Sequence, residues 1–209
     1  MRAQRAKGQH TMRRWNLAVG AMVALATTIL LGTLAFAAPA AAPLPRDSVY
    51  QLSVPLTDQQ ARTADWRTRR GKPQLMAMFY TSCQYVCPLI VDSGKAVEHQ
   101  LTPAQQQRLG ILLISLDPAR DDSAALKAVA VKRKLDHARW TLAAPRANDV
   151  RAVAGVLGVR YRALSDGEFN HTTALILLDR DGRILARTEK VGSQPDPEFI
   201  AAVRKAVGP

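Results

Sequence analysis

The chain is poor in sulfur, aromatic rings and acid, and each shortage narrows what it can do. Only two of its 209 residues are cysteine, Cys83 and Cys87, so all thiol chemistry is confined to one place. Aromatic residues make up 5%, too few to stack bases, and the later Lys and Arg are dispersed; both features argue against a nucleic-acid partner. Acidic residues number 17 against 29 basic ones, a net charge of +12 that is unevenly spread. Arg2, Arg5, Lys7, Arg13 and Arg14 crowd the first fourteen positions, which hold no acid. The moderately basic remainder suits an acidic partner or an anionic membrane face. With 47% apolar and 22% charged residues, the composition is that of a globular protein and excludes a disordered or collagenous one.

The basic start runs into LAVGAMVALATTILLGTLAFAA, Leu17 to Ala38, which carries no charge. Residues 1–38 therefore read as a targeting or anchoring segment rather than part of the fold. Its apolar run is long enough to cross a bilayer. Ala35 and Ala37 resemble a signal-peptidase site, so cleavage and secretion is the alternative to an inner-membrane anchor. In both cases the basic end stays cytoplasmic and the rest lies outside, on the periplasmic side, in an oxidising compartment. PAAAPLP, residues 39–45, reads as a stiff tether, and residues 46–209 suit one domain with a sizeable core. No internal repeat or second linker interrupts it.

Within that domain, strand and helix patterns alternate. QLMAMFY (74–80) and GILLISL (110–116) read as buried strands, and WTLAA (140–144) as a shorter one. Helices are predicted over PLIVDSGKAVEHQL (88–101), DSAALKAVAVKRKL (122–135), ANDVRAVAGVLGV (147–159) and DPEFIAAVRKAV (196–207). Pro88 suits a first helical turn, and Asp122 or Ser123 an N-cap. TTALILLDRDGRILART (172–188) reads as a hairpin turning at Asp181-Gly182. Alternation plus one late hairpin predicts an α/β domain with a mixed sheet.

The cysteines fall where the first strand ends and a helix begins, the edge at which open α/β sheets bind ligands and where a helix N-terminus favours a thiolate. Four residues apart, they share one face of a turn leading into a helix. Spacing alone leaves three readings open: a redox couple, a metal clip, or two core cysteines packed by Tyr85, Val86, Leu89 and Ile90. A metal clip needs a further donor. His99 lies about three turns beyond Cys87 along the helix, too far to share an ion, and His137 reads as a solvated residue at the end of a charged helix. His171, at the opening of the apolar strand TTALILLDR, is either a strand-edge histidine or the third ligand.

FYTSCQYVCP, ISLDPARDD and FNHTTALILLDRDGRI together resemble, in order and spacing, the signature of the Sco (SenC) family, membrane-tethered proteins with a thioredoxin-like fold that handle copper during cytochrome c oxidase assembly. The resemblance runs from about Val54 to Val207. It implies that Cys83, Cys87 and His171 bind copper. It also implies that Asp117 sits in the loop facing the site, tuning it or contacting a partner, although an Asp-Pro turn needs no metal to explain it. Gln84-Tyr85-Val86 departs from the Pro-Asp type of insert common in the family, and TLAAP replaces an expected glycine-containing turn. These changes touch the choice of client, not the metal positions.

Soft thiolates suit Cu(I), and an imidazole also suits Cu(II), so the three residues fit a carrier that holds copper in either state. The leading expectation is a metallochaperone serving a cytochrome c oxidase subunit or another cuproprotein. The alternative is a thiol–disulfide oxidoreductase that reduces a client's metal-binding cysteines and is itself served by a periplasmic thiol reductant. A thiol peroxidase is disfavoured because no Thr or Arg is placed around Cys83 as peroxide activation needs. A structural module with an inert disulfide completes the alternatives.

Overall fold

A computed structural model of the protein describes residues 42–83 and 86–209, with backbone alone at 86 and 87. The expected membrane segment, Leu17 to Ala38, lies outside the described residues, as do residues 39–41 of the tether, Gln84 and Tyr85. Among the described residues no helix is long and apolar enough to cross a membrane.

The elements in chain order are β1 (Pro55–Asp58), β2 (Thr63–Asp65), β3 (Gln74–Phe79), α1 (Val86–His99), α2 (Pro103–Arg108) and β4 (Gly110–Ser115). There follow α3 (Ser123–Lys132), β5 (Trp140–Pro145), α4 (Val150–Val156), β6 (Tyr161–Ala163), β7 (Phe169–His171), β8 (Leu175–Leu178), β9 (Ile184–Thr188) and α5 (Pro197–Val207). Seven strands form one mixed sheet in the order β2-β1-β5-β4-β3-β8-β9, and β6 and β7 form a separate hairpin. Strands β3, β4 and β5 run parallel, and the remaining pairs are antiparallel. Every residue of β3, β4 and β8 is buried, which is why these segments read as continuous apolar runs rather than alternating ones.

Register places the functional end of the sheet. Phe79 of β3 pairs with Ser115 of β4, and the Leu116 amide still donates to the Phe79 carbonyl at 2.7 Å. The chain therefore leaves both strands at the same level, with the cysteine loop beside the Asp117 loop. Strand β8 runs antiparallel to β3 with Met76 opposite Ile176, so the β6–β7 hairpin that feeds β8 reaches the same end. Right-handed crossovers put α1 and α3 on one face, and an Arg133–Asp92 ion pair between them agrees.

Several local expectations are corrected. The helix predicted to Leu135 stops at Lys132, because Lys134 turns left-handed (φ +51°) and the Leu135 amide reaches back to the Ala130 carbonyl at 2.9 Å. His137 consequently lies in a turn, not at a helix end. Asp122 is the N-cap of α3, accepting from the Ala125 amide at 2.8 Å. Asp181-Gly182 does turn the β8–β9 hairpin: Gly182 has φ +84° and no room for a Cβ, with Tyr50 2.5 Å from where it would stand. Leu44 and Pro45, placed in the tether by the sequence, are held against the domain through the Gln51 amide and the Ser48 N–H.

Helix α1 begins beside the cysteines and is fixed to the sheet by a close approach. A Cβ on Gly94 would stand 2.5 Å from Trp140 Cη2, so the indole, 1% exposed, lies directly on the helix backbone. One turn further, buried Glu98 accepts from Trp140 Nε1 at 3.1 Å and from Arg139 Nε at 2.5 Å. Gly94→Ala is expected to cost about 1–3 kcal/mol by overpacking, seen as a lower urea midpoint at unchanged slope. A midpoint at or above the wild-type value would contradict this seating of α1.

Candidate metal centre

Strand β3 delivers its chain to the site through Tyr80, Thr81 and Ser82. The turn is tied down by a carboxylate just ahead of the N-cap of α3. Asp121 is 1% exposed and accepts from the Thr81 amide at 3.1 Å, from Thr81 Oγ1 at 2.5 Å and from Ser115 Oγ at 2.6 Å. One buried side chain thus joins the exits of β3 and β4 two residues before Cys83. Burial raises its pKa above the ordinary 3.8 in spite of these donors. An acid with a raised folded-state value stabilises the fold below 3.8, a contribution lost as pH rises through that raised value.

Cys83 is half-buried and lines a cavity of about 440 Å³ with Phe79, Tyr80, Thr81, Pro88 and Val91. Cys87 lies in the first turn of α1, and Pro88 follows it as expected for a first turn; the Cys87 side chain lies outside the described residues. His171 does not open the apolar strand. It closes β7, opposite Tyr161 of β6, and β8 begins only at Leu175. This places it on a small hairpin separate from the main sheet, at the rim of a second, open groove of about 580 Å³.

The state of the imidazole follows from its neighbours. His171 Nδ1 lies 3.1 Å from the Thr172 carbonyl, which can only accept, so Nδ1 carries the proton and Nε2 keeps its lone pair. Burial lowers the His171 pKa below its ordinary 6.5, favouring the neutral ring that a metal ligand requires. His99 closes α1. Among the described residues no three His, Cys, Asp or Glu side chains converge closely enough to hold a metal; with Cys83 and His171, Cys87 would be the third donor.

Asp117 is 7% exposed and follows the end of β4. It forms an ion pair with Arg120, and Arg120 also donates to the Gly167 carbonyl at 2.5 Å. Through Arg120, Asp117 is thus linked to the turn between β6 and β7. A second link was not foreseen. The Tyr80 hydroxyl donates to Glu168 Oε2 at 2.8 Å, and the Tyr80 ring meets Phe169 and His171 edge-on, with centroids 5.2 and 5.8 Å away. The Tyr80 carbonyl accepts from the Cys83 amide at 3.4 Å. Nothing in the sequence pattern marks Tyr80 apart from its place at the end of an apolar strand.

The Asp121 clamp gives a direct test. Asp121→Ala leaves two Thr81 donors and one Ser115 donor without a protein acceptor, at an expected cost of about 1–3 kcal/mol. Asp121→Asn keeps an acceptor for Thr81 and should cost clearly less while removing the acid-side pH dependence of the carboxyl. Equal losses in the two variants, measured by urea unfolding across pH, would contradict the clamp.

The SCO1/SenC family model matches residues 47–208. A protein of Stutzerimonas stutzeri, named as a candidate copper-binding protein, is 31% identical over 85 residues, 40% of this chain and 41% of the relative. The chain thus matches under half the length of that relative. Among solved structures, the fold is similar to a SCO1/SenC family lipoprotein of Bacillus anthracis (TM-score 0.67, 19% identity, covering 75% of this chain and 94% of that one). It is also similar to the ScoI protein of Bradyrhizobium japonicum with copper bound (TM-score 0.63, 24% identity, covering 74% and 98%). These likenesses show the mixed α/β, thioredoxin-like architecture, and the family match over most of the domain identifies the chain as a member of the SCO1/SenC family.

Proposed function

We propose that this protein is a copper carrier. Cys83, Cys87 and His171 bind one copper ion as cargo and pass it to a cytochrome c oxidase subunit or another extracytoplasmic cuproprotein. The observation that carries the reading is that one residue, Tyr80, accepts from the Cys83 amide at 3.4 Å and meets the His171 ring edge-on, which supports an imidazole from a separate hairpin serving the cysteine loop. Copper bound in the Bradyrhizobium relative and the name of the Stutzerimonas relative support the choice of metal. The lipoprotein character of the Bacillus relative supports an extracytoplasmic position, which the uncharged stretch from Leu17 to Ala38 would secure as an inner-membrane anchor.

The donor set suits the task. Two thiolates hold Cu(I) and also accept Cu(II), and the imidazole adds a ligand suited to Cu(II). A carrier must also let go. Ligands drawn from a loop, a helix start and a short hairpin would form an open site rather than a closed cage, which gives an acceptor's own ligands a path for exchange. Asp117 acts on this set from outside, through Arg120 and the hairpin turn.

Anaerobic copper titration of the domain tests the reading. The reduced protein should take up one copper per chain, with intense thiolate-to-copper charge transfer in the Cu(II) form. Cys83→Ala or Cys87→Ala should abolish that band. His171→Ala should weaken Cu(II) by more than about a hundredfold, the upper end of what changes outside the ligand set cost, while retaining Cu(I). Asp117→Ala should cost at most about ten- to a hundredfold. Full oxidase assembly at limiting copper in cells carrying His171→Ala would overturn the carrier reading in favour of dithiol reduction, which has no need of the imidazole.

A further inference from the structure

The β6–β7 hairpin holds His171 but belongs to neither face of the main sheet, and its two strands have three residues each. So short a pair is marginal by itself. Its position relative to Cys83 must come from what fastens it, and two fasteners are present. Arg120 holds the turn from outside through the Gly167 carbonyl. Tyr80 holds the inner side, and its carbonyl also accepts from the Cys83 amide at 3.4 Å.

Tyr80 is 3% exposed and directly follows β3, so the buried sheet fixes its backbone. Its ring packs edge-on against Phe169 and His171, the two residues of β7 that face inward. Its hydroxyl donates to Glu168 Oε2 at 2.8 Å and receives the Phe169 amide at 3.4 Å, and its carbonyl accepts from the Cys83 amide at 3.4 Å. The ring and the hydroxyl therefore act separately. The ring packs against the imidazole, and the hydroxyl ties the hairpin to the end of β3.

We infer that Tyr80 is the positioning residue of the copper site: its carbonyl takes the Cys83 amide, while its hydroxyl, anchored by Glu168, holds the His171 hairpin. This deepens the copper-carrier reading and rests on it for the metal, but the clamp itself is a property of the metal-free protein. Partners outside the ligand set typically change metal affinity by about ten- to a hundredfold. Cu(II), which draws on the imidazole, should feel the loss more than Cu(I), which two thiolates can hold.

The test uses Tyr80→Phe, which keeps the ring and removes only the hydroxyl, together with Glu168→Gln and Glu168→Ala. The Gln carbonyl still accepts the Tyr80 proton, so Glu168→Gln should behave as wild type, whereas Glu168→Ala should follow Tyr80→Phe. In the metal-free protein, amide hydrogen exchange over residues 161–171 should quicken at least about tenfold in Tyr80→Phe and Glu168→Ala, with exchange in β3 and β4 unchanged. In the copper-loaded protein the same two variants should weaken Cu(II) by about tenfold or more and leave Cu(I) affinity within about threefold of wild type. Unchanged hairpin exchange in Tyr80→Phe would overturn the inference, whatever copper does. So would quickened exchange with unaltered Cu(II) affinity. A wild-type protein with no thiolate charge transfer would instead sink the copper reading, and the exchange arm would then decide the clamp alone.

Discussion

The site depends on the parallel pairing of β3 with β4 and on the carboxylate that closes it. Six residues of each strand run in register, ending with Phe79 opposite Ser115. The chain must then leave both strands at one level, where backbone donors would go unpaired. Asp121 supplies the acceptor, taking the Thr81 amide, the Thr81 hydroxyl and the Ser115 hydroxyl. A buried acceptor with three partners fixes the start of the cysteine loop far more tightly than the short loop could fix itself. Everything nearer the metal is hung from that point: Cys83 two residues on, the start of α1 beyond it, and Tyr80 on the other side.

The rest of the site is assembled from parts whose own stability is low. The β6–β7 hairpin is held to the sheet by Tyr80 with Glu168, and by Arg120 with Gly167. Helix α1 is held by Gly94 against Trp140 and by Glu98 with Arg139 and Trp140. Strong seating at these distant points lets the donors themselves remain on a loop, a helix start and a strand end. Such an arrangement suits an ion that is to be carried and given up, because the ligands can part without disturbing the sheet.

Much of this was legible in the residues. Strands β3 and β4 announced themselves as unbroken apolar runs because both faces are covered, and α1, α3, α4 and α5 through periodicity and caps. Asp181-Gly182 marked its hairpin because the turn requires a positive φ that glycine adopts freely. The elements missed, β1, β2, β6, β7 and α2, are three to six residues long, too short for any period to emerge. That shortness also misplaced His171, assigned to the apolar strand that begins four residues later. Cys83 and Cys87 stood out by scarcity alone. Asp121 and Tyr80 did not, since an Asp before a helix cap and a Tyr after a strand look ordinary. Their importance lies in partners 40 and 88 residues away in sequence, which no local pattern encodes.

The central claim is that two sulfurs and one imidazole from three separate segments meet on a single copper ion. X-ray absorption at the copper edge of the Cu(II)-loaded wild-type domain reads that directly. The account predicts two sulfur scatterers and one nitrogen scatterer, the latter with the outer-ring multiple scattering of an imidazole that disappears in His171→Ala. A coordination sphere of oxygen and nitrogen alone, or one whose imidazole signal survives that substitution, would contradict it.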